Sequence, residues 1–123
     1  MKELDDQERL TFFVDQIVEN EMVWLLQADD GLFAMVEDGE INSYVTVWPT
    51  ADECKSAAKD EWSDYAAEPM EIKEFLIWLK ELDEDKILVG VYPNAQGKIL
   101  PFHPLELKKM IEGAWKKSLN QND

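Results

Sequence analysis

Lys86–Asn94, reading Lys-Ile-Leu-Val-Gly-Val-Tyr-Pro-Asn, constrains the fold more than any other stretch of this chain. Ile87, Val89 and Val91 form its densest β-branched run, with Leu88 and Tyr92 on the alternate positions. Asp83-Glu84-Asp85 bounds the run on one side and Pro93-Asn94 on the other. A short, nearly continuous apolar run between such breakers suits a strand buried on both faces. Gly90 leaves a gap on one face, where a helix or an aromatic ring can approach the backbone closely. Directly upstream, Ile72, Phe75, Leu76, Leu79 and Leu82 recur at steps of three and four across Glu71–Leu82. An amphipathic helix and a central strand therefore arrive as a packed pair. Trp78 borders the helix stripe and Ile77 points away from it.

The rest of the chain supplies the layers around that pair. Leu4–Asn20 reads as a helix, with Leu10, Phe13, Val14 and Ile17 on one face and Asp5 and Asp6 at its positive end. Phe12 falls on the opposite side of that wheel. Met22–Ala28, Leu32–Glu37 and Ser43–Trp48 read as three strands joined by Asp29-Asp30-Gly31 and Asp38-Gly39, which predicts an antiparallel meander ended by Pro49. Thr50-Ala51-Asp52-Glu53 is a capping box, opening a helix expected to reach Trp62 with Ala51, Cys54, Ala58 and Trp62 on its inner face. Pro69 confines Glu68–Ile72 to an edge strand, and Ile99–Phe102 forms a last short one. Pro104 suits the first position of a final helix to Leu119 that buries Leu107, Ile111, Ala114 and Trp115, and residues 119–123 are expected to fray. The expected architecture is a single α+β domain over residues 1–123. Its mainly antiparallel sheet combines the N-terminal three-strand meander with the Val-rich central strand, packed with about four helices.

Charge narrows the functional classes. The formal net charge is −15, and residues 1–62 carry 16 acidic against 4 basic side chains, net −12, while residues 63–123 carry 11 against 8, net −3. Such a surface repels phosphate backbones and anionic lipid, so neither direct nucleic-acid binding nor membrane binding is expected. It attracts a basic protein, or serves solubility alone. The single cysteine has no internal disulfide partner, the N-terminus is charged, and the apolar runs fall far short of the ~20 residues of a membrane span. A cytoplasmic protein is the expectation.

No motif argues for an enzyme. His103 is the only histidine, flanked by Phe102 and Pro104 where a helix N-cap would stand, with no second histidine or cysteine nearby to build a metal site. Asp83, Glu84 and Asp85 lack the spacing of a calcium loop and read as a solvated turn. Cys54 lies on an inner helix face with no base beside it, so it reads as a structural thiol. Neither a glycine-rich phosphate loop nor a nucleophile elbow is present, and no cofactor is expected. The five tryptophans are a stronger signal. Trp24 and Trp115 read as core, whereas Trp48, Trp62 and Trp78 lie near element edges. Two of these sharing a surface with Ile77 or Phe12 would make an apolar patch rimmed by acid, the mark of a partner site. The plainer alternative has all five filling the core.

Several fragments together resemble a small bacterial family filed as domain of unknown function 2750. They are Val23-Trp24-Leu25-Leu26 with Asp30-Gly31, Val47-Trp48-Pro49 opening a helix, and Phe75-Leu76-Ile77-Trp78-Leu79 with Leu82. Asp85–Val91 and Pro104-Leu105-Glu106-Leu107 complete the pattern, which spans Phe13 to Trp115. The resemblance implies the fold and brings no activity, cofactor or site residue. Three functions stay open: a module binding a basic protein, of which an inhibitor of a basic toxin or nuclease would be one instance; a small-ligand or enzymatic domain with a pocket between sheet and helices; and a homo-oligomeric structural protein. The candidate partner-binding residues are Asp15, Glu19, Asp29, Asp30, Trp48, Ile77 and Trp78.

Overall fold

Side-chain alternation along the strands, period two, sorts the apolar residues of this chain onto two faces, and both faces are covered. The computed structural model describes residues 5–38, 42–94 and 97–120. The helix start at Leu4, the Gly39 corner of the second turn, the middle of the Asn94–Lys98 loop and the tail residues 121–123 lie outside the described residues. Within the described residues the elements are α1 (Asp6–Asn20), β1 (Met22–Gln27), β2 (Met35–Asp38), β3 (Asn42–Val47), α2 (Ala51–Ser56), a 3₁₀ turn (Asp60–Trp62), β4 (Ala66–Glu71), α3 (Ile72–Glu84), β5 (Leu88–Val91), β6 (Leu100–Phe102) and α4 (Pro104–Asn120). This is an α+β fold.

The Val-rich strand is central, as its composition predicts. The larger sheet runs β2-β3-β5-β6, with β5 parallel to β3 and antiparallel to β6. The parallel pairing requires a crossover, and α3 delivers the chain directly into β5. Val23, Leu25, Val45, Val47, Val89 and Val91 face one way, onto the buried stripes of α1 (Phe13, Val14, Ile17), α3 (Phe75, Leu76, Leu79) and α4 (Leu107, Ile111). On the opposite side, Leu26, Ala34 and Trp48 join Cys54 of α2 in a second cluster that also takes in Trp24, Trp62, Tyr65 and Tyr92.

Three expectations are corrected. The meander exists only as the β2–β3 hairpin, in which Met35 lies opposite Val45 and Glu37 opposite Ser43. β1 instead pairs antiparallel with β4, Met22 opposite Glu71 and Gln27 opposite Ala66. It meets the larger sheet at two isolated bridges, Gln27 to Phe33 and Trp24 to Trp48. The reason is a long-range competitor: the Ile72 amide donates to the Glu21 carbonyl at 3.0 Å, which anchors β4 alongside β1. Pro69 is exposed on that edge strand, where its missing N–H costs nothing. The second correction concerns α2, which stops at Ser56 instead of reaching Trp62. Asp60 takes a left-handed φ of 54° and folds the chain back, so that Trp62 meets Trp48 edge-on, ring centroids 5.9 Å apart and planes at 88°. A straight helix would have carried Trp62 away along its axis. Thirdly, the gap at Gly90 is filled by the aliphatic side chain of Ile99, not by a helix or a ring.

Candidate functional site

The tryptophans near element edges are brought together by three separate segments. The β1–β2 connection with the first residue of β2 contributes Gly31, Leu32, Phe33 and Met35, the 3₁₀ turn and the residues after it contribute Glu61, Trp62 and Tyr65, and α3 contributes Trp78 and Leu82. With Val45 and Ile87 at the floor, they line an open groove of about 470 Å³. Gly31, at φ 91°, and Asp30, whose Oδ1 accepts from the Leu32 amide at 3.0 Å, turn the chain so that Leu32 stands 67% exposed on the lip. Met35 beside it is 39% exposed. Trp78 is held by Phe33, centroids 5.1 Å apart, and by Phe75 at 6.4 Å. Trp62 is held by buried Trp48. Each groove tryptophan is thus braced by an aromatic residue behind it, so little side-chain entropy remains to be lost on binding. Among the described residues Glu61 is the single charged residue of the lining. Exposed Asp29, Asp30, Asp60, Asp64, Glu81 and Asp85 lie close in sequence to the lining residues.

The residues singled out from sequence separate into groups. Trp78 lines the groove, whereas Asp29 and Asp30 are exposed, lie outside its lining and precede Gly31 and Leu32 in sequence. Ile77, on the next position of α3, is 66% exposed and lies outside the lining. Asp15 and Glu19 line a different cleft, with Val18, Glu21, Trp115 and Lys117, where the ends of α1 and α4 meet. The two cavities share no residue. Trp48 is only 1% exposed and serves as the brace behind Trp62, not as a contact surface. His103 is exposed, lines neither cavity, and caps α4 through its carbonyl, which accepts from the Leu107 amide at 3.1 Å. Among the described residues no group of three His, Cys, Asp or Glu is placed to hold a metal ion. No helix among them is long and apolar enough to cross a membrane.

The segments that build this groove fall within a family match: a family model described as "Protein of unknown function (DUF2750)" matches residues 10–111. The chain belongs to the DUF2750 family. Among curated proteins none matches it. The whole groove lies inside the matched DUF2750 span, whereas Trp115, Lys117 and Leu119 of the second cleft lie beyond it. The DUF2750 description names no activity, so residue roles have to come from geometry.

Two groups in this DUF2750 structure were not legible as important from sequence. Arg9 is buried on the core face of α1, donating from Nη1 to Asp6 Oδ1 at 3.1 Å and from Nη2 to the carbonyls of Tyr92 and, at 3.0 Å, Lys98. Its guanidinium carbon lies 5.9 Å from the Tyr92 ring centre. The signal was available: Arg9 precedes Phe13 and Ile17 at steps of four, on the buried stripe. Tyr92 itself follows β5 with a left-handed φ of 44° and touches both core clusters. Burial, reinforced by the Glu53 carboxylate, pushes its phenol up to about 12, against a smaller opposing pull from Arg9. Burial alone pushes the Cys54 thiol up to about 12, which leaves it protonated and unreactive at neutral pH.

Proposed function

We propose that this protein is a non-enzymatic binding module that holds a basic protein partner, and that the aromatic groove is where the partner seats. The observation that carries the reading is the convergence of Phe33, Trp62, Tyr65 and Trp78 on one open groove that also takes in the Glu61 carboxylate, with Leu32 exposed at its lip. Braced aromatic residues in an accessible concavity are the usual anchors of interfaces, and the Glu61 carboxylate with a net charge of −15 selects a cationic partner by steering and by rejecting anionic ones. A net charge of −15 opposes close self-association, which favours a different, basic chain over a second copy. The same charge disfavours nucleic acid and anionic membrane as direct partners. The carboxylates Asp29 and Asp30 become the steering set, with Ile77 at the periphery. A cytoplasmic setting, suggested by the lone cysteine, goes with this reading.

The test is affinity capture by the wild-type chain and by Leu32→Lys, at low and at moderate salt. Leu32 is exposed, so its replacement leaves the core intact while placing a positive charge on the lip. The expected result is one or a few basic proteins retained by the wild type, weakened by salt and lost several-fold from the variant. Retention of the same proteins by both chains would remove the groove from the account.

A further inference from the structure

The chemistry of the groove is narrower than that of an apolar slot. Among the described residues four of its lining side chains are aromatic, a single carboxylate stands among them, and no lysine or arginine takes part. Aromatic faces attract cations through their quadrupole, most strongly for tryptophan, and a carboxylate beside them fixes the cation's orientation. An ammonium is strongly hydrated and enters such a site at a high desolvation cost, whereas a guanidinium is planar, weakly hydrated, stacks on rings and offers a carboxylate paired donors. A volume of about 470 Å³ falls within the range of small-ligand sites, ~300–1,000 Å³, and takes one long side chain with an apolar neighbour. Resting on the reading of the groove as the partner site, we infer that its occupant is an arginine side chain of the partner, stacked between Trp62 and Trp78 with its guanidinium on Glu61.

The test uses small probes and the intact chain. N-acetyl-arginine amide, the lysine analogue and the citrulline analogue (a neutral isostere of arginine) are titrated against the five indole N–H signals in proton–nitrogen correlation spectra. Trp62→Phe and Trp78→Phe assign the two groove signals. The expected result is a saturable shift of the Trp62 and Trp78 signals by the arginine probe, with half-saturation on the order of millimolar. Citrulline should bind about tenfold more weakly, and Glu61→Gln, an exposed and structurally mild change, should weaken the arginine probe several-fold. Trp115 is the internal control, since it lies in the cleft of Asp15, Glu19 and Glu21, where acid is present without an aromatic box. Equal binding of citrulline and arginine, stronger binding of lysine, no saturable shift at the groove signals, or a larger shift at Trp115 would each overturn the inference. Should the arginine probe fail while Leu32→Lys still loses the partner, the groove remains the partner site and only the guanidinium assignment falls. Should Leu32→Lys keep the partner, both fall.

Discussion

A Cβ placed on Gly90 would stand 2.9 Å from Ile99 Cδ1, closer than real Cβ atoms approach, and 3.0 Å from its Cγ2, a tight contact. Gly90→Val is therefore expected to destabilise the fold by about 2 kcal/mol or more through overpacking. Adding Ile99→Ala should recover part of the loss, a coupling of about 1 kcal/mol between neighbours. Urea midpoints of the two single variants and the double variant check this. Additive effects would mean that the two residues do not meet. The gap was legible from a glycine inside a Val-rich run, but its occupant was not, because Ile99 lies across a loop whose path no local pattern specifies. Arg9 went unread for a different reason. A charged residue on an apolar stripe is ordinarily discounted, yet here the guanidinium satisfies the carbonyls of Tyr92 and Lys98. Removing it strands those acceptors, so Arg9→Ala should cost about 2 kcal/mol or more by urea denaturation, and Arg9→Lys, without the planar fork, should recover little of it.

At the scale of elements, α3 and β5 were legible because their periodicities are strong and agree with their ends; the buried stripe Ile72, Phe75, Leu76, Leu79, Leu82 is the one the spacing predicts. β1 found a partner, β4, that sequence proximity argues against, since hairpin signals report only neighbours along the chain. α2 is shorter than its periodicity predicts because tertiary contact of Trp62 with Trp48 outweighs continued helix. The second cluster yields a pH prediction. Cys54 and Tyr92 have folded pKa values raised to about 12 from ordinary values of 9.0 and 10.0. Above pH 9 the unfolded chain loses these protons first, so the folded state binds more protons and stability falls as pH rises toward 12. Unfolding free energy measured from pH 8 upward should decline more steeply for the wild type than for Cys54→Ala with Tyr92→Phe. Matching slopes would mean that neither group is shielded in the folded protein.

For the whole molecule, Asp29 and Asp30 of the acidic half precede groove residues Gly31 and Leu32 in sequence, while Asp15 and Glu19 lie in a separate cleft with Lys117. Charge asymmetry was readable by counting. The groove was readable only in part: the condition was two edge tryptophans sharing a surface with Ile77 or Phe12, and neither Ile77 nor Phe12 lines it, because the residues that form it come from three distant segments. The lysines of α4, Lys108, Lys109, Lys116 and Lys117, take no part in the groove lining. The most direct measurement is the association rate of the captured basic partner with three charge variants at two salt concentrations. Neutralising Asp29, Asp30 and Glu61 together should slow association about tenfold and flatten its salt dependence, as steering charges do. Neutralising Asp15 and Glu19, or reversing the four lysines, should change it less than about twofold. An unchanged rate for the groove set, with a slowed rate for either of the others, would contradict the account.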